Sequence, residues 1–230
     1  MSRIILIETS TALCSTALVE DDRIVCYRES GELRSHASKT ALFIKEMIDE
    51  RGLKVSDCDA VCVSKGPGSY TGLRVGVSTA KGLCFAANLP LIAIDTLETL
   101  VWQAFEEGKV PQGCKYIVPM IDARRMEVYT AVYSADKTRL CDIEPRIVDS
   151  ESFRTELSEG PVLFIGDGAL KCSEVLGCPN AHFLQECPKA SSMIKPALKA
   201  LDEKRFENTA YFEPFYLKQF VATVSKKSLF

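Results

Sequence analysis

Apolar residues run in short, nearly unbroken blocks at the start of the chain and then change rhythm. Residues 3–8, 13–19 and 23–28 form three such blocks, with the turn pair Asp21-Asp22 before the third, and this predicts a meander of three strands. From His36 onward Ala37, Ala41, Ile44 and Ile48 recur at helical spacing and Gly52 supplies a stop, so a helix is predicted next. A strand at 60–64, a glycine-rich turn, a helix over about 71–87 closed by Asn88 and Pro90, a strand at 91–94 and a helix opening near Thr96 complete the first half.

After a polar stretch at 106–113 the same kind of pattern starts again. Strands are predicted near 116–121, 128–133 and 139–143, then a helix near 152–157, a strand at 162–165 and a helix near 169–176. Two lobes of related plan are implied, 1–105 and a smaller 106–220, with 221–230 read as a frayed tail that has no core face. Met193, Ala197 and Leu201 predict a last helix with Pro196 in its first turn, and the aromatic stretch 213–220 is expected to pack. A duplicated βββαβα plan is that of the actin-like, ribonuclease-H-like (ASKHA) class of α/β folds, an analogy that says little about activity.

Composition agrees with this picture. The 230 residues suffice for two lobes with their own cores, and 47% hydrophobic with 26% charged residues is an ordinary globular balance. Lys and Arg number 28 against 31 Asp and Glu, so no global basic field draws in nucleic acid. The apolar start is too short for a signal peptide and no stretch reaches membrane-spanning length; a cytoplasmic protein without membrane contact is expected. Ten cysteines contain no C-x-x-C pair and only His36 and His182 could join them. Reduced, buried thiols are expected, and no metal site.

The most unusual segment is Lys65-Gly66-Pro67-Gly68-Ser69-Tyr70-Thr71-Gly72-Leu73-Arg74-Val75-Gly76. A glycine-rich loop entering a helix offers free N–H groups to an anion, and Thr9, Ser10, Gly66, Gly68 and Ser69 are the candidate contacts. A turn that needs glycine for conformational freedom is the favoured account of the segment, with anion contact the alternative. The helix that follows is rich in small residues, although glycine there costs about 1 kcal/mol relative to alanine. The preceding helix carries Phe43 and Met47 beside its main apolar stripe. Both features fit a partner surface, and both fit helices that cover a sheet. Glu8-Thr9-Ser10-Thr11, Asp122-Ala123-Arg124-Arg125 and Gly166-Asp167-Gly168 could line a cleft between lobes or serve as turns. No Ser or Cys stands with a histidine in a catalytic pattern, so no catalytic residue is assigned.

Residues 65–83, KGPGSYTGLRVGVSTAKGL, closely resemble the signature of the TsaB family. Ile7-Glu8-Thr9-Ser10, Cys14-Ser15, Arg34-Ser35-His36, Asp122-Ala123-Arg124 with Glu127-Val128-Tyr129, and Pro214-Phe215-Tyr216-Leu217 reinforce the match. The resemblance implies a two-lobed actin-like subunit, itself not an enzyme, that binds the catalytic subunit TsaD directly and works with TsaE in threonylcarbamoylation of tRNA adenosine. It implies contact with tRNA only through the complex and a homodimer when TsaD is absent. It also places the partner seam on two helices: Ala37, Ala41, Phe43, Ile44 and Met47 on the first, and Gly72, Val75, Gly76, Thr79, Ala80 and Leu83 on the second. The chain alone is expected to bind no cofactor, with a nucleotide at the partner interface left open. TsaD carries H-x-x-x-H histidines for its metal, whereas this chain has single histidines at 36 and 182. Glu8 stands where the family often has Asp. Two other readings are a small ATPase or kinase with Glu8, Thr9, Gly66 and Gly68 near phosphate, and a metallopeptidase, which needs ligands the sequence does not supply.

Overall fold

The first three apolar blocks pair in chain order. In the computed structural model, which describes residues 2–218, β1 (Arg3–Glu8), β2 (Cys14–Glu20) and β3 (Arg23–Ser30) form an antiparallel meander, with Glu8 opposite Ser15. β4 (Ala60–Gly66) lies parallel to β1 on its other side, and β5 (Leu91–Asp95) lies parallel to β4. The strand order is β3-β2-β1-β4-β5. β1 and β4 are covered on both faces, which explains their unbroken apolar runs. On one face Ile5, Ile7, Leu18, Val61 and Val63 meet Ile44 and Met47 of α1 (His36–Glu50) and Val77 and Ala80 of α2 (Tyr70–Ala87). α2 ends as predicted, on a left-handed Asn88 whose N–H bonds the Cys84 carbonyl.

The second half repeats the order. β6 (Tyr116–Asp122) is central, and β7 (Glu127–Thr130) and β9 (Glu144–Ile147) run antiparallel on one side of it, with the two-residue β8 (Tyr133–Ser134) also on β6. β10 (Val162–Ile165) and β11 (Ala181–Leu184) lie parallel on the other side, giving β11-β10-β6-β7-β9. Read from the β9 end, this is the order of the first sheet, and the whole has the actin-like, ribonuclease-H-like arrangement. α4 (Arg154–Glu159) and α5 (Ser173–Leu176) stand where the first half has α1 and α2, but they are single turns.

Several boundaries differ from the sequence pattern. The strand predicted at 128–133 is two pieces, one on each part of β6. The third strand falls at Glu144–Ile147 and not at 139–143, where Leu140 is exposed. β9 is an edge strand with little burial, so it has no alternation to read, and Pro145 is tolerated there. β11, another edge, was not foreseen for the same reason. The helix predicted at 169–176 begins as a 3-10 turn, Leu170–Cys172. The predicted tail at 221–230 and the end of the aromatic stretch lie outside the described residues.

The two sheets exchange their last helices. α3 (Thr96–Glu106) follows β5, yet Leu97, Leu100, Val101 and Ala104 pack on Ile117, Ile121, Leu163 and Ile165 of the second sheet. α6 (Ile194–Asp202) and the 3-10 turn before it follow β11. Their Met193, Ala197 and Ala200 pack on Ile4, Leu6, Ala60, Cys62 and Ile94 of the first. A division at 105 and 106 assigns α6 to the second lobe by sequence, whereas its apolar face belongs to the first sheet. The crossing is tied by polar groups: Gln103 donates to the Cys187 carbonyl at 3.1 Å and accepts from the Lys189 N–H at 3.0 Å, and the Ala190 N–H donates to Ser15 Oγ at 2.9 Å. Among the described residues no helix is long and apolar enough to cross a membrane.

If α6 completes the first sheet, Met193→Ala, which empties a fully buried site, lowers stability by about 2–5 kcal/mol. Urea unfolding should report this as one cooperative transition at a lower midpoint.

Candidate functional site

The glycines of the signature have a steric purpose. The turn after β1 lies against the start of α2 so closely that a Cβ on Gly68 would sit 2.3 Å from the Ser10 carbonyl oxygen. One on Gly72 would sit 2.1 Å from that of Thr9, and one on Gly76 2.2 Å from Thr9 Oγ1. Real side chains do not approach backbone that closely, so only glycine permits the contact. Hydrogen bonds then lock it: Thr9 Oγ1 donates to the Gly72 carbonyl at 2.9 Å, and the Ser69 N–H donates to the Ser10 carbonyl at 2.6 Å. Ser69 Oγ caps α2 by accepting from the Gly72 N–H at 3.3 Å.

The candidate anion contacts are therefore brought together, but into a packed turn. Thr9 and Ser10 are fully buried. Gly66 is buried at φ 112°, with Leu73 and the Phe215 carbonyl each 3.0 Å from where a Cβ would stand. Ser69 is exposed, with its hydroxyl used as the cap. The structure thus favours the steric account of this segment over an open cradle of free N–H groups.

Glu8 is the chemical oddity of the turn. It is wholly buried, and its Oε1 accepts from the Ser10 N–H at 2.6 Å. Its Oε2, together with Ser10 Oγ and Thr11 Oγ1, has no hydrogen-bond partner. Burial pushes the carboxyl up to about 7, against the opposing effect of the Ser10 N–H bond. The matching turn of the second sheet is held differently. Lys171 Nζ donates to Asp122 Oδ1 at 2.5 Å and to the Arg125 and Glu127 carbonyls at 2.7 Å. Arg124 and Arg125 take left-handed φ of 72° and 52°. Asp167, raised by burial to about 6, accepts from the Asp122 N–H at 2.8 Å. Each acid of the supposed cleft is engaged within its own sheet.

The residues expected on the partner seam divide by burial. Phe43, Ile44 and Met47 are core residues of this chain, and Gly72, Gly76 and Ala80 turn inward on β4 and the Thr9 turn. The second apolar stripe of α1 exists because the sheet takes both stripes. Of the remaining expected residues, Ala37 and Ala41 are exposed, while Val75, Thr79 and Leu83 are half-buried. The outward surface also includes Leu42 at 44% exposure and Phe85 at 88%, and a Cβ on Gly82 meets nothing within 4 Å. Phe85 was missed because it was read only as part of the apolar helix. Its place outside the buried series Leu73, Val77, Ala80 and Cys84 is the signal that finds it.

His36 Nε2 lies 2.9 Å from the Thr11 carbonyl, and His182 is exposed on the far edge strand β11. Among the described residues no three His, Cys, Asp or Glu side chains gather as a metal site would require. All ten cysteines are free; six are buried, and Cys141 and Cys178 depart from the expectation by being exposed. Burial pushes the Cys58 and Cys84 thiols up to about 11, which makes them unreactive.

Glu8 yields a pH prediction. Its folded value of about 7 exceeds the ordinary 4.5, so between these values the folded chain binds more protons than the unfolded one. Stability is then full below the lower value and falls as pH rises through the upper. Glu8→Gln, which keeps the carbonyl acceptor for Ser10, should flatten this fall and leave the part that comes from Asp167, Glu98 and Glu106, whose carboxyls burial also raises. Melting midpoints measured from about pH 5 to 8 check the difference.

The comparisons agree with this geometry. The family model described as "TsaD: tRNA N6-adenosine threonylcarbamoyltransferase" matches residues 32–225. The Escherichia coli K12 tRNA threonylcarbamoyladenosine biosynthesis protein TsaB is 29% identical over 96% of each chain. The Bacillus subtilis 168 protein of the same name is 30% identical over 71% of this chain and 70% of its own. Among solved structures, YeaZ from Pseudomonas aeruginosa superposes with a TM-score of 0.77 at 25% identity, covering 94% of this chain and all of that one. A second structure from that organism, described as similar to peptidase YEAZ, gives 0.82 at 25% identity over 95% of this chain and all of its own. The chain belongs to the TsaB family, within the wider TsaD family whose model spans most of it.

Proposed function

We propose that this chain is the non-catalytic subunit that supports threonylcarbamoylation of tRNA adenosine by binding TsaD, with TsaE acting on the assembly. The activity itself comes from the relatives, whose names place them in that biosynthesis over nearly the whole length of this chain. The observation that carries the supporting role is structural. The turn where an actin-like enzyme would hold phosphate is packed shut, while the outer faces of α1 and α2 leave Ala37, Ala41, Leu42, Gly82 and Phe85 open to solvent. Large apolar side chains such as Leu42 and Phe85 left open on neighbouring helices fit an interaction site.

We read the chain as two lobes, 1–105 and 106–220, with α6 lent back to the first. The partner surface belongs to the first lobe and comprises Ala37, Ala41, Val75, Thr79 and Leu83 with the exposed neighbours named above. In the absence of TsaD the same surface serves a homodimer. An ATPase or kinase acting in its own cleft would need Thr9, Ser10 and Gly68 free, and they are engaged with one another. A metallopeptidase would need histidines brought together, whereas His36 opens α1 beside the first sheet and His182 lies on β11 of the second.

Gly82→Arg and Phe85→Asp should each weaken binding to TsaD at least tenfold without lowering the melting midpoint of the isolated chain appreciably, and Gly82→Arg should raise it by removing a helix glycine. Coelution and calorimetric titration measure the first, and a thermal scan the second. Reconstituted threonylcarbamoylation should require this chain; activity that proceeds equally without it would refute the reading.

A further inference from the structure

The last described segment runs as a strap from one sheet to the other. The Glu207 N–H donates to the Leu91 carbonyl at the edge of β5 at 2.8 Å. Lys81 of α2 then holds the Ala210 and Phe212 carbonyls, and the Phe215 N–H donates to the Lys65 carbonyl at 2.7 Å. The strap ends at Lys218, which pairs with Glu127 of β7. Along this end the surface alternates aromatic rings and cations. The Arg74 guanidinium lies 5.0 Å from the Tyr70 ring centre, and Tyr70 meets Tyr216 at 5.0 Å with a 36° tilt. Lys218 Nζ then lies 5.8 Å from the Tyr129 ring, beside the exposed Arg124 and Arg125 on the β6–β7 turn.

From this arrangement we infer that the strip Arg74, Tyr70, Tyr216, Lys218, Tyr129 and Arg124 is a direct contact for unpaired RNA. Rings that offer a face to a base, interleaved with cations that follow a backbone, are the chemistry of single-strand recognition. Charge supports that occupant. Arg74, Lys218, Arg124 and Arg125 stand against Glu127 and Glu213, while Asp122 is neutralised by Lys171. The cations Arg74, Arg124 and Arg125 thus flank the strip on a chain whose net charge is -3, while the groove beside Tyr216 also carries Asp95, Asp142 and Glu207, with Lys65 and Arg139 paired to Asp95. Glu127 is already paired, and an approaching phosphate can share Lys218. Tyr216 is 37% exposed, enough to present an edge or face while its other side rests on Tyr70. The contact deepens the proposed function, because it gives this subunit its own grip on the substrate where the sequence implied contact only through the complex.

The test uses the full chain in complex with the catalytic partner and a fluorescent RNA hairpin carrying an unpaired loop, with a blunt duplex RNA for comparison. Anisotropy should show preference for the loop. Tyr216→Ala should weaken it about tenfold, the order expected for loss of one stacking platform. Arg74→Glu with Lys218→Glu should shallow the salt dependence. Tyr211→Ala, which removes an exposed ring of the strap outside the strip, should change nothing. Unaltered hairpin affinity in the strip variants overturns the inference. So does loss of binding to the catalytic partner in place of RNA, which would make the strip a protein contact. A chain that proves dispensable for modification while its complex still shows the Tyr216 effect would refute the proposed function and leave the contact standing.

Discussion

The contact between the turn after β1 and the start of α2 governs the rest of the first sheet. The Thr9 and Ser10 carbonyls and the Thr9 hydroxyl press on the loop and first turns of α2, so positions 68, 72 and 76 must lack side chains. Once the helix is that close, Val77 and Ala80 reach Val63 and Ile5, and α1 fits beside it to close the core. The same turn holds Glu8 fully buried and leaves its Oε2, Ser10 Oγ and Thr11 Oγ1 without partners. One steric requirement thus accounts for the signature glycines and the missing anion cradle.

A second constraint is the exchange of helices. Each sheet needs cover on two faces, and the chain supplies the second cover from the other half: α3 for the second sheet and α6 for the first. The halves cannot separate without exposing both cores. Gln103, fully buried, satisfies backbone groups of the crossing segment that would otherwise be orphaned. This rigid frame leaves the outer faces of α1 and α2, and the strap that crosses α2, as the surfaces on which the proposed contacts are built.

Much of this was legible along the chain. Long, covered strands such as β1, β4 and β10 declare themselves as apolar runs, and α1 and α2 by period and by the stops at Gly52 and Asn88. The edge strands β9 and β11 do not, because a strand half open to solvent has no apolar pattern to show. Which face of α1 and α2 is open was only half legible: Ala37 and Ala41 are outside, but Ile44, Met47, Gly76 and Ala80 are buried. Periodicity reports that a face is apolar or small without saying what it meets.

The sequence by itself determined the order of elements in the first half, the duplicated plan and the family, since these depend on local pattern and on the residue types of the signature. The tertiary structure decided which surfaces remain for others. It placed α6 on the first sheet, turned the glycines toward Thr9 and Ser10, and left Phe85 outside. Those outcomes depend on distances between residues remote in the chain, and no local pattern encodes them.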